Sequence, residues 1–292
     1  NSFSGSMLPR ANSFDWTPDG GIYRSVWLHV TPPVYIERVE VDARPDLKAG
    51  SAEAQVRVVV RNRTGRSRKI LIESEVSEEA SGLVAARGTA ASEVAAGATV
   101  TVTLPAARIS QAKLWHFDHP HLYRVCCRLG SHTVEEIFGV RLIETREGGF
   151  YLNGARVRLM GVERMAGSHP QYGMAEPLSW IEHDHHDMQQ LNCVFTRVHW
   201  MQDRRLLDWC DRHGMLLQLE VPTWGAGTWK DMTTEPAAEI LNNGLEQLRE
   251  MIVQNRNHPC VFSWGLCNEI GGHLPAAKKF AQAMFREARR MD

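Results

Sequence analysis

Two rhythms of apolar and polar residues divide the chain. From residue 34 to about residue 143 the period is two. Thr99-Val100-Thr101-Val102-Thr103-Leu104 alternates cleanly, and Val56, Val58 and Val60 alternate with Arg57, Val59 and Arg61. Ile36–Val41, Ile70–Val76, Leu122–Leu129 and Val134–Leu142 fit further strands. Turn signals such as Asn62-Arg63-Thr64-Gly65 and Ala95-Ala96-Gly97 separate them. Side chains alternate between faces along a strand. Short strands at this spacing, with no helical stretch among them, predict an antiparallel sandwich of immunoglobulin type over residues 34–143.

From about residue 150 the pattern becomes strand then helix. Arg156–Gly161, Asn192–His199, Met215–Glu220 and Val261–Asn268 read as apolar strands. Pro177–Gln190, Asp203–Arg212, Glu235–Gln254 and Pro275–Arg290 read as helices. Leu241, Leu245, Leu248 and Ile252 share one face at the 3.6-residue period, and so do Ala277, Phe280, Ala281, Met284, Phe285 and Ala288. Strands apolar on both faces, alternating with amphipathic helices, predict a parallel sheet. A TIM (β/α)8 barrel needs eight such units, so residues 144–292 fit the first half of one. A four-stranded open sheet is the alternative. In residues 1–33, Gly20-Gly21 leads into an expected strand Ile22–Val30 that stops at Pro32-Pro33. One strand cannot bury itself, so 1–33 reads as the end of a domain whose earlier part lies outside this chain.

Composition narrows the function classes. The chain has 292 residues, is 43% apolar and carries a formal net charge of -1. No basic face is expected for a nucleic acid or a membrane surface. No apolar run approaches the roughly 18 residues of a membrane span. "NSFSGSMLPR" lacks the basic start and apolar core of a signal peptide. Six scattered cysteines form no C-x-x-C pair, which argues against a structural zinc site. Free buried thiols favour a reducing compartment, so the cytoplasm is slightly preferred. "HDHHD", residues 183–187, places His183 and Asp187 on one helix face. It reads as a solvated face; a metal-dependent hydrolase built on His183, His185 and His186 is the rival. No metal and no cofactor are expected.

In a barrel, chemistry collects at the C-terminal ends of the strands. Those ends carry Glu163-Arg164, His199-Trp200, Glu220-Val221-Pro222-Thr223-Trp224 and Asn268-Glu269. Acids, a histidine and two tryptophans at one mouth suit a sugar. Aromatic faces stack on its C–H surface, and acids and amides bond its hydroxyls. Glu269 ends an apolar strand just before Gly271-Gly272. In a partly apolar setting its carboxyl can have a raised pKa and act as a general acid.

Several stretches resemble glycoside hydrolase family 2, the family of β-galactosidases and β-glucuronidases. They are "FDWTPDGGIYRSVWL", "FDHPHLYRV", "FGVRLIE", "FYLNGARVRLMGV", "HPQYGMAE", "LLDWCDRHGMLLQLEVP" and "NRNHPCVFSWGLCNE", in the family's order across nearly the whole chain. The resemblance implies the end of a jelly-roll sugar-binding domain, an immunoglobulin-like sandwich and the first four units of a catalytic barrel. It implies a retaining β-glycosidase acting on a terminal β-linked sugar, β-galactosidase first and β-glucuronidase second. Glu269 would be its acid/base catalyst. Asn268 and His199 would bind substrate, and Glu220 falls on the family's strand-three acid, either touching substrate or orienting the site from behind. By their place at strand ends, Trp200 and Trp224 are expected as substrate platforms; a homo-oligomer is one option for the full-length enzyme. A non-catalytic carbohydrate-binding fragment is the further alternative. Three departures stand out. Gly161-Val162-Glu163-Arg164-Met165 replaces the family's Gly-Val-Asn-Arg-His. The arginine usually three residues before the strand-two histidine is Thr196 here, with Arg197 one step closer. The loop after Glu220 offers only Thr223 where some relatives hold magnesium. The nucleophile is expected beyond Asp292, so the fragment alone is expected to be inactive.

Overall fold

A computed structural model describes residues 19–167 and 169–292. Most of the segment assigned to a preceding domain, residues 1–18, lies outside the described residues. The expected strand Ile22–Val30 is not formed: Ile22, Val26, Trp27, Leu28 and Val30 are exposed and join no sheet. A strand needs a neighbour to take its N–H and C=O groups, and no described strand pairs with this segment.

The period-two region is a two-sheet antiparallel sandwich. One sheet contains β1 (Val34–Asp46), β2 (Ser51–Asn62), β5 (Thr99–Thr103) and β6 (Ala107–Ile109), ordered β1-β2-β5 with β6 also on β2. The other contains β3 (Arg68–Glu78), β4 (Val84–Val94), β9 (Tyr123–Leu129) and β10 (His132–Phe138), ordered β10-β9-β3-β4. The alternation in β2 sends Ala52, Ala54, Val56, Val58 and Val60 into the core, where Ile72, Val76, Val125 and Phe138 meet them. Strand β4 gave no alternating signal because it is rich in alanine, serine and glycine, poor strand formers. It is a strand because β3 pairs with it from Arg68↔Val94 to Ser77↔Val84.

Two small sheets join the halves. β7 (Trp115–His116) pairs with β8 (His119–Pro120), and β11 (Ile143–Arg146), β12 (Gly149–Leu152) and β13 (Ala155–Val157) form a meander. The expected strand Arg156–Gly161 is therefore two pieces. Its start closes the meander and its end opens a parallel sheet at β14 (Gly161–Glu163). β14, β15 (Phe195–Arg197), β16 (Leu216–Glu220) and β17 (Val261–Gly265) lie in that order, all parallel.

The helices follow their strands: α1 (Leu178–Gln190), α2 (Arg204–His213), α3 (Ala238–Asn255) and α4 (Pro275–Met291). α2 shows how local sequence sets the boundaries. The Asp203 side chain accepts the Arg205 N–H at 2.9 Å, a favoured N-cap. Gly214 ends the helix at φ 78, where any Cβ would strike the Phe117 carbonyl. α3 and α4 pack closely because a Cβ on Gly244 would lie 2.6 Å from the buried Phe280 ring. Phe285, expected on the apolar stripe of α4, is 58% exposed instead. The stripe is narrower than its periodicity suggested and centres on Ala276, Ala277, Phe280 and Met284.

The sandwich and the parallel sheet meet at a buried ion pair. Trp115, fully buried, donates its indole N–H to the Asp211 carbonyl at 2.8 Å. The Asp211 side chain accepts hydrogen bonds from His258 Nδ1 at 2.5 Å and from the Cys260 N–H at 3.0 Å. Burial pulls the His258 pKa down, but the Asp211 carboxylate, helped by Asp208 against Arg204, outweighs it and holds the imidazole above its ordinary value. A raised folded-state pKa stabilises fully below the unfolded histidine value of about 6.5 and is lost as pH rises through the folded value. The melting temperature is expected to fall through that window, and Asp211→Asn to flatten this limb. Thermal melts across pH read it directly.

Candidate active site

The mouth is built at the C-terminal ends of β14 to β17. Its centre is Arg197, the last residue of β15. The guanidinium donates to Glu220 of β16 at 2.6 and 3.2 Å and to the Asn268 side-chain carbonyl at 2.8 Å. It also pairs with Glu163 of β14 at 2.8 Å. Residues from all four strand ends thus converge on one cation. Burial works against the charge, yet the Glu220 and Glu163 carboxylates hold the Arg197 pKa above its usual value.

Glu220 is 2% exposed, and its Oε1 also accepts from His199 Nδ1 at 2.7 Å. The room for this carboxylate comes from Gly265 at the end of β17, where a Cβ would lie 2.6 Å from Glu220 Oε2. A glycine inside an apolar strand marks such a close approach. Of the two roles open for Glu220, touching substrate or orienting the site from behind, its burial fits the second, as a brace for Arg197 and His199. Its acidity also reaches Cys267, whose thiol is pushed up to about 11, by burial first and then by Glu220.

Beyond Gly265 the chain leaves β17 for two residues and then rejoins β16's extension. Trp224 and Asn268 form a parallel bridge, the Asn268 N–H donates to the Thr223 carbonyl at 2.8 Å, and the Gly225 N–H donates to the Asn268 carbonyl at 3.1 Å. Glu269 follows at φ 50, a left-handed conformation uncommon for a residue with a Cβ. Its carboxylate is exposed and accepts the Trp224 indole N–H at 3.3 Å. The apolar enclosure expected around Glu269 is thus reduced, among the described residues, to one tryptophan edge.

Trp200, expected as a stacking face, is 9% exposed and packs with Ala166 and Met174, against Tyr23 and Met165. β15 ends at Arg197, so the chain has turned before Trp200 and lays the ring against the loop after β14. An ion cluster braces that loop: Arg164 donates to both Glu176 oxygens at 2.8 and 2.9 Å and to Asp184 at 2.8 and 3.0 Å. Sequence reasoning gave Arg197 no firm role and named Glu163 only in passing. The excess of acids at the strand ends was the signal that a cation had to stand among them.

The "HDHHD" histidines do not converge. His183 stacks on Trp180 with ring centroids 5.0 Å apart and pairs with Asp187 at 3.7 Å, as a solvated face would. His185 is fully buried, bonded to the Ile181 carbonyl, and burial lowers its pKa to about 4. His186 lies against Trp209. Among the described residues, ligand-type side chains cluster at Asp208, Asp211 and His258. Asp211 and His258 are already paired there, at the contact with the sandwich, and none of the three ends a strand at the mouth.

The fold is a β-sandwich followed by four parallel β/α units whose strand ends carry this cluster. The family model described as "Glycosyl hydrolases family 2, TIM barrel domain" matches residues 143–292, and "Glycosyl hydrolases family 2" matches residues 34–141. The chain belongs to glycosyl hydrolase family 2. A β-galactosidase of Thermoanaerobacter pseudethanolicus is 30% identical over 280 residues, covering 88% of this chain and 34% of that protein. A β-glucuronidase of Bacteroides fragilis is 28% identical over 282 residues, covering 90% and 39%. The crystal structure of a β-galacturonidase from Eisenbergiella tayi, bound to galacturonate, superposes with a TM-score of 0.89 at 23% identity, over 100% of this chain and 50% of that one. The chain spans about a third of the length of the curated relatives it matches.

Arg197→Ala is expected to leave Glu220 buried without its arginine, held by His199 and a long contact from Gln218, costing on the order of 3 kcal/mol. Arg197→Lys, a single ammonium that cannot fork across three partners, should recover only part of it. Urea unfolding of the two variants compares them.

Proposed function

We propose that the protein is a retaining β-glycosidase that removes a terminal β-linked sugar, with a β-galactoside as its first substrate class. Its divisions are residues 1–33 as the end of a sugar-binding domain, 34–143 as the sandwich and 144–292 as the catalytic barrel. The four strand–helix units are the first half of that barrel.

Glu269 is the acid/base. It protonates the departing glycosidic oxygen, then takes a proton from the water that hydrolyses the glycosyl–enzyme ester. The observation that carries this role is the exposed Glu269 carboxylate on a rigid strand extension, beside an asparagine anchored to Arg197. Asn268 and His199 bind sugar hydroxyls, Trp224 walls the site beside the acid, and Glu220 and Trp200 support them from behind. Retention requires a second carboxylate about 5–5.5 Å from the first. Glu163 and Glu220 are both spent on Arg197, so neither takes the nucleophile's role.

The charge balance supports a neutral sugar. Glu163 and Glu220 pair with one guanidinium, which the Asn268 amide also shares, and the next residue, Glu269, adds an exposed carboxylate. A uronate carboxylate would enter an acidic mouth without a free cation from Arg197. The β-glucuronidase reading is the second one, favoured by the names of several relatives.

In the complete protein, Glu269→Gln should lower kcat on aryl β-galactosides by roughly 10²–10⁴-fold with unchanged circular dichroism. An unaltered rate would defeat the catalytic reading in favour of a non-catalytic carbohydrate-binding protein. The same assay should turn over aryl β-galactosides faster than aryl β-glucuronides; the reverse order would hand the site to the uronide.

A further inference from the structure

The strand that leads to Glu269 is gripped at its root by the sandwich. β1 is the edge of its sheet, with β2 on one side only. On its other side the Asn257 carboxamide takes the place of a strand. The Val41 N–H donates to Asn257 Oδ1 at 2.9 Å, and Asn257 Nδ2 donates to the Val39 carbonyl at 2.8 Å. Arg256 pairs with Glu40 between those two positions at 3.5 Å. The next residues are held as firmly. His258 and the Cys260 N–H sit on Asp211. Pro259 abuts Gly139, where a Cβ would come within 2.6 Å of it. The Val261 carbonyl accepts from Arg141 Nη2 at 2.6 Å.

We propose that Asn257 is a positioning residue for the acid/base: it fixes where β17 starts, and so where Glu269 stands relative to the glycosidic oxygen. The proposal rests on the reading of Glu269 given above. The mechanical link is short. β17 begins at Val261 and ends at Gly265, and the Trp224–Asn268 bridge follows three residues later. A strand is close to its full extension, so a shift at its root is carried along its length rather than absorbed. The register of β17 on β16 already contains an irregularity, because Leu217 pairs with Val261 while Gln218 pairs with Ser263. At its root the ladder is thus broken by one skipped residue, and the contacts from the sandwich hold the strand's start there. Displacements of about 1 Å far from the chemistry can cost up to a hundredfold in rate.

The test separates positioning from simple stability. In the complete protein, kcat/KM is measured for an alkyl β-glycoside, whose leaving group must be protonated, and for a dinitrophenyl β-glycoside, whose leaving group departs without a proton. The ratio of the two rates within one sample does not depend on the fraction of folded enzyme. Asn257→Ala should reduce the alkyl rate about tenfold while the dinitrophenyl rate holds. Asn257→Asp, which keeps the acceptor for Val41 and loses the donor to Val39, should reduce the same ratio by less. Glu269→Gln, run beside them, should show the selective loss in its largest form. If Glu269→Gln is selective and the Asn257 variants lower both rates together or neither, the positioning role is overturned. If Glu269→Gln is itself unselective, the acid/base reading fails and the positioning role falls with it.

Discussion

One guanidinium organises the mouth. Arg197 reaches Glu163 on one neighbouring strand, Glu220 on the other, and Asn268 beyond a third. Without it, Glu163 and Glu220 would lose the cation they share, and a buried carboxylate without its charge partner is costly. The consequence runs outward. Glu220 is tied down and so orients His199; Asn268 is tied down and so sets the backbone that carries Glu269. The glycine at 265 belongs to the same constraint, since it is the space into which the Glu220 carboxylate fits.

The parallel sheet and the sandwich are different solutions to one burial problem. The sandwich buries one face of each strand, so its sequence alternates and its strands were legible, β2 above all. The parallel strands read as unbroken apolar runs; β16 and β17 are the deeply buried pair, while β14 at the edge is exposed. Their existence was legible and their ends were not: Asn192–His199 shrank to Phe195–Arg197, and Arg156–Gly161 was split between a meander and the sheet. Ile22–Val30 carries a strand-like composition but, among the described residues, has no strand beside it, and pairing decides what composition only permits. β4 is the converse, a strand made by its partner.

At the site, residue types were legible and their depth was not. Acids, a histidine and tryptophans at strand ends followed from the pattern of runs and breaks. Which of them faces solvent depends on turns after the strand, which periodicity does not encode. Trp200 and Glu220 therefore moved behind the mouth, while Glu269 came forward. Arg197 was in plain view in the sequence, but its partners come from positions 34 residues earlier and 23 and 71 later, and only the sheet order brings them together.

The left-handed backbone at Glu269 settles a question of parity. Successive residues of an extended chain point to opposite sides, so a neighbouring pair such as Asn268 and Glu269 could not ordinarily serve one pocket. A single residue at φ 50 cancels that alternation. The amide can then answer to Arg197 while the acid beside it answers to Trp224. Under the proposed function, two adjacent letters of sequence would thereby act on a single bound molecule, a register that neither a regular strand nor a regular helix would supply.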